Sequence, residues 1–196
     1  MLDFIKILEK YYSRGSELYN LLIAHSQQVA NLAKELADRN PQLNIDCDFV
    51  YEAAMLHDIG IYKTHAPAIH CVGDMPYICH GYLGREILEA EGLPRHALVC
   101  EHHTGSGLTL EEIIAQGLPL PQRDMLPTTI EEKLVCYADK FYSKSRIAPT
   151  KPIEKVQAEM ARFGEASLNR FNELTTLFGT PSKKSTDVDF SFLFAS

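Results

Sequence analysis

Histidine and aspartate side chains that could bind a metal ion recur along this chain, which has eight histidines among 196 residues. Six of these side chains fall at the ends or inner faces of five separate predicted helices. They are His25, His57, Asp58, His80, His103 and Asp139. Imidazoles mixed with carboxylates, without a thiolate, suit iron, manganese, zinc, cobalt or nickel, whereas calcium and magnesium favour oxygen ligands. The residue types therefore favour a divalent transition metal and leave its identity open.

Each of these residues also has a simpler interpretation. A single histidine on an apolar helix face, such as His25, is more often a hydrogen-bonded core residue than a ligand. An ionised Asp139 on a buried face is costly unless it has a partner, and a neighbouring His-Asp pair would supply one without a metal. The convergence of six such residues favours the metal interpretation, because facing helices assemble metal sites in the core of a bundle.

The spacing of apolar residues predicts the first two helices that position these side chains. Residues 18–36 carry apolar side chains at helical spacing, and His25 lies within that stripe. A second helix over residues 49–56 stops near Gly60, which places His57 and Asp58 at its C-terminal end.

The rest of the chain predicts further helices and little else. The apolar residues of segment 61–79 show no regular spacing, which predicts a loop that could cover a site. Helices are then predicted to begin at His80 and at Pro94, another carries Asp139, and a final amphipathic helix covers residues 156–178. No segment shows the alternation of apolar and polar residues that is typical of a strand. The sequence therefore predicts an all-α fold with at most a short hairpin.

The order of the candidate ligands matches a known signature. His25, then Leu56-His57-Asp58-Ile59-Gly60, then Asp139 resembles the H…HD…D signature of the HD-domain superfamily in its HDIG-bearing form. The segments from His80 to Gly84 and from His103 to Gly107 are similar to further features of that family. The resemblance covers about residues 18–145.

This resemblance implies an HD-domain helical bundle over residues 1–150. Residues 151–196 are then predicted to be a C-terminal helix and tail that pack on or extend the same domain. The resemblance further implies that one metal ion is bound by four residues, His25, His57, Asp58 and Asp139. In two-metal relatives, Asp58 would bridge to a second ion held by His80 and His103. If one metal binds, those two histidines would instead contact the substrate phosphate, and His102 is the alternative to His103 in either role.

Hydrolysis of a phosphate ester agrees with such a site. A bound divalent metal lowers the pKa of its water toward about 7, so hydroxide becomes available for attack on phosphorus. Asp58 is the predicted central catalytic residue. Lys63, five residues further on, is a candidate for stabilising charge on the phosphoryl oxygens, with an ordinary solvated lysine as the alternative interpretation.

We therefore expect a metal-dependent phosphohydrolase, with one or two divalent transition metal ions, that acts on a nucleotide or another small phosphate ester. The first alternative is a di-iron oxygenase, because relatives such as myo-inositol oxygenase hold two irons with the same order of ligands. The second alternative is a regulatory binding module with a degenerate site. The intact set of six candidate ligands argues against this last alternative.

Composition excludes several other classes of protein. The net charge is −7 and no run of lysine or arginine stands out, so we expect no nucleic-acid partner. The opening MLDFIKILEKYYSR predicts neither a secretory signal nor a membrane span, so we expect a cytoplasmic protein with no membrane partner. Five cysteines without CxxC spacing argue against both a disulfide framework and a thiolate zinc site. The sequence does not indicate an oligomeric state.

Overall fold

The computed structural model describes residues 2–144 and 149–182. Helices dominate this part of the chain, which confirms the predicted all-α class. In chain order they are α1 (Phe4–Leu8), α2 (Glu17–Arg39), α3 (Cys47–Leu56), α4 (His80–Ala90), α5 (Pro94–His102), α6 (Leu110–Ala115), α7 (Ile130–Asp139), α8 (Ile153–Ala161) and α9 (Glu165–Phe178). Three short strands, β1 (Thr64–Ala66), β2 (Cys71–Val72) and β3 (Met75–Pro76), form one small sheet between α3 and α4.

Helix α2 is the central element, because it packs against both α3 and α7. It begins after Ser16, whose hydroxyl oxygen accepts a hydrogen bond from the backbone N–H of Tyr19 at 3.2 Å. It ends before Pro41, which disfavours helical backbone in the residue that precedes it. Its buried face carries His25 among apolar side chains. Within the described residues, no helix combines the length and the apolar character needed to cross a lipid bilayer.

The chain leaving α3 makes a close backbone contact with α4 at Gly60. A Cβ atom on Gly60 would lie 2.2 Å from the carbonyl oxygen of His80 and 2.5 Å from the backbone nitrogen of Gly84. Glycine is therefore needed here because the two backbones touch. This contact holds His57 and Asp58, at the end of α3, beside His80 at the start of α4.

We predict that Gly60→Ala lowers the free energy of unfolding by about 3 kcal/mol, since the new methyl group must displace backbone rather than a flexible side chain. Urea denaturation followed by circular dichroism measures the loss. Gly92→Ala is the matched control, because a Cβ there would meet nothing within 4 Å and the cost comes only from its φ of +76°. That strain costs about 1 kcal/mol. Equal losses in the two variants would contradict the proposed close contact.

The segment predicted as a loop over residues 61–79 contains the small sheet. β1 pairs antiparallel with β2 and parallel with β3, with His65 opposite Val72 on one side and Pro76 on the other. Strands of two or three residues are too short to show alternation, so the sequence pattern could not reveal them. A 3₁₀ turn, Tyr77–Cys79, follows the sheet and leads directly into α4.

The prediction of a single final helix over residues 156–178 is wrong. Gly164 separates α8 from α9 and has a φ of +110°, a conformation that side-chain-bearing residues rarely adopt. Phe163, which falls within the predicted helix, is 61% exposed at this break. Beyond the break, α9 packs on α7, with the rings of Phe171 and Tyr137 5.3 Å apart. The predicted tail, residues 183–196, lies outside the described residues.

Candidate metal centre

Five helices bring six histidine and aspartate side chains into one buried group, which we call the His–Asp cluster. Its members are His25 in the middle of α2, His57 and Asp58 directly after α3, His80 at the start of α4, His103 after the last residue of α5, and Asp139 at the end of α7. No member is more than 6% exposed. These are the six residues that were predicted from the sequence to be ligands, and the fold brings their side chains together.

Asp58 lies at the centre of the cluster, and its two carboxylate oxygens face different partners. Oδ2 lies 3.4 Å from Nε2 of His25 and 3.2 Å from Nε2 of His57. Oδ1 lies 3.5 Å from Nε2 of His80 and 3.4 Å from Nε2 of His103. The carboxylate therefore divides the cluster into two parts, which we call the Oδ2 half and the Oδ1 half.

Asp139 completes the Oδ2 half, because its Oδ1 lies 2.9 Å from Nε2 of His25 and 3.5 Å from Nε2 of His57. In the Oδ1 half, the Nε2 atoms of His80 and His103 are 3.0 Å apart. Two atoms that each bind one ion at about 2.1 Å lie about 3.0 to 3.4 Å from one another at octahedral to tetrahedral angles. The spacing of both halves thus matches that of a metal coordination shell.

Three of the histidines are oriented by the backbone in the same way. In each, Nδ1 lies within hydrogen-bonding distance of the carbonyl oxygen three residues earlier, for His57 with Ala54 at 2.6 Å, for His80 with Tyr77 at 2.7 Å and for His103 with Cys100 at 2.7 Å. An Nδ1 that donates to a carbonyl carries a ring proton, so Nε2 is the nitrogen that faces the cluster and is free to bind a metal when it carries no proton. Metal-binding histidines are commonly held by such a hydrogen bond.

Several polar atoms of the cluster are buried without a hydrogen-bond partner among the described residues. They include Nε2 of His57 and both carboxylate oxygens of Asp58. The Nε2 atoms of His80 and His103 face each other, yet two lone pairs cannot hydrogen-bond to one another. Unsatisfied buried groups are costly, and a bound cation removes that cost. The residues present therefore fit a divalent transition metal.

Burial and neighbouring charges set the protonation of the cluster. Burial lowers the pKa of His25 to about 4 and that of His80 to about 3, so both imidazoles are neutral. Burial would also lower the pKa of His57, but Asp58 and Asp139 outweigh it and raise that pKa to about 9. Burial alone would raise the pKa of both carboxyl groups, yet the cationic side chains around them hold it well below the usual range. The cluster thus contains two ionised carboxylates.

Lys63, the predicted catalytic lysine, is not the lysine at the cluster. Among the described residues, the lysines paired with its carboxylates are Lys140, with Nζ 2.7 Å from Oδ2 of Asp139, and Lys144, with Nζ 2.9 Å from Oδ2 of Asp58. Lys63 ends a 3₁₀ turn directly before β1, and its backbone lies against Gly73 beside the small sheet. Lys144 follows α7 by five residues, and no sequence pattern marked it.

His102 faces away from the cluster. Its Nδ1 lies 2.7 Å from a carboxylate oxygen of Glu132, and its Nε2 lies 3.5 Å from one of Glu101. Adjacent residues near a helix end point about 100° apart. His103 therefore faces a different carboxylate, that of Asp58. The structure places only His103 of this pair in the cluster, and its role as a ligand stays a prediction.

A cavity of about 310 Å³ adjoins the Oδ2 half. Asp139 lines it together with Tyr77, and three lysines contribute to its wall, Lys140, Lys144 and Lys151. Its volume is at the lower end of the range for small-molecule sites, about 300 to 1,000 Å³. The ammonium groups of Lys140 and Lys144, which lie beside the His–Asp cluster, favour a small anionic ligand.

Comparison with known proteins assigns the family. Residues 22–143 match the family model described as HD domain. The chain belongs to the HD-domain family. The matched residues extend from α2 to just beyond α7 and include every member of the His–Asp cluster.

Three curated proteins are similar to this chain over more than two thirds of its length. The chain is 34% identical over 145 residues to an uncharacterized protein of Methanocaldococcus jannaschii, covering 72% of this chain and 78% of that protein. It is 39% and 33% identical over 137 residues to proteins named tRNA (cytidine(56)-2'-O)-methyltransferase in Picrophilus torridus and Thermoplasma volcanium. These matches cover 68% and 69% of this chain but only 35% of each methyltransferase, so the name describes proteins about three times longer than the matched part. No solved structure gives a significant match.

Proposed function

We propose that this HD domain is a metal-dependent phosphohydrolase that acts on a nucleotide or another small phosphate ester. The observation that carries the proposal is the division of the Asp58 carboxylate, with one oxygen facing His25 and His57 and the other facing His80 and His103. A carboxylate placed in this way can bridge two ions. Membership of the HD-domain family supports the same reaction class.

The residues that would hold the metal follow from the two halves. His25, His57, Asp58 and Asp139 would hold the first ion, since their facing atoms lie 2.9 to 3.5 Å apart. Asp58, His80 and His103 would hold a second one, and His57, His103 and Asp139 also lie close enough to share an ion. The donor set suits iron, manganese, zinc, cobalt or nickel. A divalent transition metal supplies a water whose pKa lies near about 7, which can be deprotonated at neutral pH and attack phosphorus.

The protein itself contributes orientation and charge. The carbonyl groups that hold His57, His80 and His103 fix the ring positions before any ligand arrives. Lys140, with Nζ also 2.9 Å from the carbonyl oxygen of His103, is held rigidly beside the cluster. Its positive charge stabilises negative charge that develops on the phosphoryl oxygens. Burial of the cluster keeps bulk water away and strengthens these interactions.

A small phosphorylated molecule is the substrate class that the cavity favours. Its volume of about 310 Å³ holds one small ester, and Lys140 and Lys144 in its wall attract anions. A nucleic-acid partner is disfavoured by the net charge of −7. Two relatives nevertheless carry a name for tRNA methylation, so RNA belongs among the compounds to be tested.

A di-iron oxygenase is the alternative that would use the same ligands. Iron held by imidazoles and a bridging carboxylate supports hydrolysis or oxygen chemistry, so the donor set does not separate them. Iron content together with a visible or paramagnetic signal in anaerobically purified protein would favour the oxygenase. A regulatory module with a degenerate site is less well supported, because all six members of the His–Asp cluster are present and lie together in the core.

We predict that the purified protein carries at least one equivalent of a transition metal per chain. The lysines near the cluster leave both oxygens of Asp58 and Nε2 of His57 without a hydrogen-bond partner, and a divalent ion would bind these atoms directly. Elemental analysis of the protein as purified and after reconstitution measures the content. Less than about half an equivalent after reconstitution would contradict the proposed metal centre.

The reaction is tested with the metal-reconstituted protein on a panel of phosphate esters. The panel contains p-nitrophenyl phosphate, nucleoside monophosphates, 2′,3′-cyclic and 3′,5′-cyclic nucleotides, and a short RNA. We expect release of inorganic phosphate or ring opening for at least one small ester. Asp58→Ala, purified in parallel, shows whether a contaminating phosphatase is responsible. Metal-loaded protein that cleaves none of these compounds and consumes oxygen with a small polyol would favour the oxygenase.

A further inference from the structure

Lys144 has an unusual position at the His–Asp cluster. Its ammonium nitrogen lies 2.9 Å from Oδ2 of Asp58 and 3.7 Å from Oδ1 of Asp139. These are the same two oxygen atoms that face Nε2 of His25 and His57 in the Oδ2 half. The Lys144 side chain is 15% exposed, so the ammonium group is placed among the candidate ligands rather than in solvent.

This contact compensates charge without making a complete hydrogen bond. Oδ2 of Asp58 has no hydrogen-bond partner with acceptable geometry, although Nζ of Lys144 lies within 3 Å of it. The ammonium group thus acts as a counter-ion for two buried carboxylates. A buried carboxylate needs such a counter-ion when no metal is bound.

A metal ion and this ammonium group would compete for the same oxygens. A divalent ion about 2.1 Å from Oδ2 of Asp58 would lie no more than about 5 Å from Nζ of Lys144. Two cations this close in a buried site repel each other strongly. Binding of the metal in the Oδ2 half is therefore expected to release Lys144 from Asp58.

The adjoining cavity offers Lys144 a second position. Lys144 lines this cavity together with Tyr77 and Asp139. The Tyr77 ring stacks on His80 with centroids 4.7 Å apart, so the phenol lies between the cavity and the Oδ1 half. Among the described residues, the other two lysines in the wall form no ion pair with Asp58. Lys140 pairs with Oδ2 of Asp139, whereas His25 and His57 face Oδ1, and it is also held by the carbonyl oxygen of His103. Lys151 pairs with Glu159 at 2.9 Å.

We propose that Lys144 is the lysine that binds the substrate phosphate once a metal has replaced it at Asp58. In the metal-free protein it neutralises Asp58 and Asp139. In the metal-loaded protein its ammonium group and the Tyr77 hydroxyl donate hydrogen bonds to a phosphate oxygen in the cavity. This inference rests on the proposed phosphohydrolase function for the identity of the anion, but its metal-dependent part can be measured without turnover.

The first measurement is the affinity of the metal-free protein for Mn²⁺ by isothermal titration calorimetry. Lys144→Met removes the competing charge and retains much of the side-chain volume, so we expect Mn²⁺ to bind at least about tenfold more tightly than to wild type. Lys151→Met is the matched control, because Lys151 lines the same cavity without contacting the cluster, and its affinity should stay within about twofold. Thermal denaturation gives a second readout: metal-free Lys144→Met should melt below wild type and gain more from added Mn²⁺.

The second measurement is the affinity of Mn²⁺-loaded protein for inorganic phosphate, obtained by calorimetry. Lys144→Met should weaken binding by about tenfold, since a charge-assisted hydrogen bond is lost. Tyr77→Phe should weaken it by about threefold, because the ring that stacks on His80 remains and only the hydroxyl is lost. Lys151→Met should change it by less than about threefold, because its ammonium group is already paired with Glu159.

The outcomes separate this inference from the proposed function. Unchanged affinity of Lys144→Met for Mn²⁺, or unchanged affinity of the loaded variant for phosphate, overturns the proposal for Lys144. A further outcome is that Mn²⁺-loaded wild-type protein binds phosphate more tightly than Lys144→Met does and still hydrolyses no ester. That result contradicts the phosphohydrolase function and leaves the proposal for Lys144 in place. Wild-type protein that binds no metal overturns both.

Discussion

Asp58→Ala is expected to release the metal from both halves of the His–Asp cluster and to lower turnover at least about a hundredfold. The reason is geometric, because each carboxylate oxygen of Asp58 faces a different pair of histidines. Within the cluster, Asp58 is the one residue whose ion pairs extend into both halves. Metal content by elemental analysis and turnover on the substrate found in the panel measure the two effects.

Asp48→Ala is the matched control for this variant. Asp48 lies in the first turn of the same helix, α3, and is exposed, so its loss should leave metal content and turnover close to wild type. Circular dichroism establishes that both variants are folded. Retention of more than about a tenth of wild-type turnover by Asp58→Ala would show that the assignment of Asp58 is wrong.

The second large effect is expected from His103→Ala, which should remove about one equivalent of metal and leave the ion of the Oδ2 half in place. Nε2 of His103 faces Oδ1 of Asp58 and lies 3.0 Å from Nε2 of His80, so both histidines belong to the Oδ1 half. Loss of one ligand out of three lowers affinity for that ion by several kcal/mol. Metal stoichiometry after reconstitution and desalting measures the result.

His102→Ala tests the assignment from the neighbouring position. His102 pairs with Glu132 and Glu101, so its loss should lower stability and leave metal stoichiometry unchanged. Loss of metal from His102→Ala but not from His103→Ala would reverse the assignment. Constant metal content in His103→Ala with an altered KM would instead indicate that His103 contacts the substrate phosphate in a one-metal site.

The sequence was sufficient for most of the helices and for the candidate ligands. The period of the apolar residues predicted α2 around His25 and the end of α3 before His57, because a helix buries side chains at a local, regular spacing. Pro94 was correctly placed as the first residue of α5. The same reasoning extended the last helix through Gly164, since it could not weigh the positive φ that the chain adopts there.

Two features of the site could not be predicted from the period of the apolar residues. The three short strands carry too few residues for an alternating pattern, and they position Tyr77 against His80. Lys144, rather than Lys63, approaches Asp58, because the chain after α7 returns to the cluster while the chain after Gly60 enters the sheet. Such contacts depend on the path of loops, which have no regular spacing.

The sequence by itself determined which residues could bind a metal, their order along the chain and the helices that carry them. The tertiary structure decided how they meet: His25 and Asp139 are 114 residues apart in sequence, yet their side-chain atoms lie 2.9 Å apart. It also decided that the two oxygens of Asp58 face different histidines and that His103 rather than His102 joins them. The physical reason is that helix formation follows local spacing, whereas distances between helices follow from core packing, including the close backbone contact that Gly60 permits with α4.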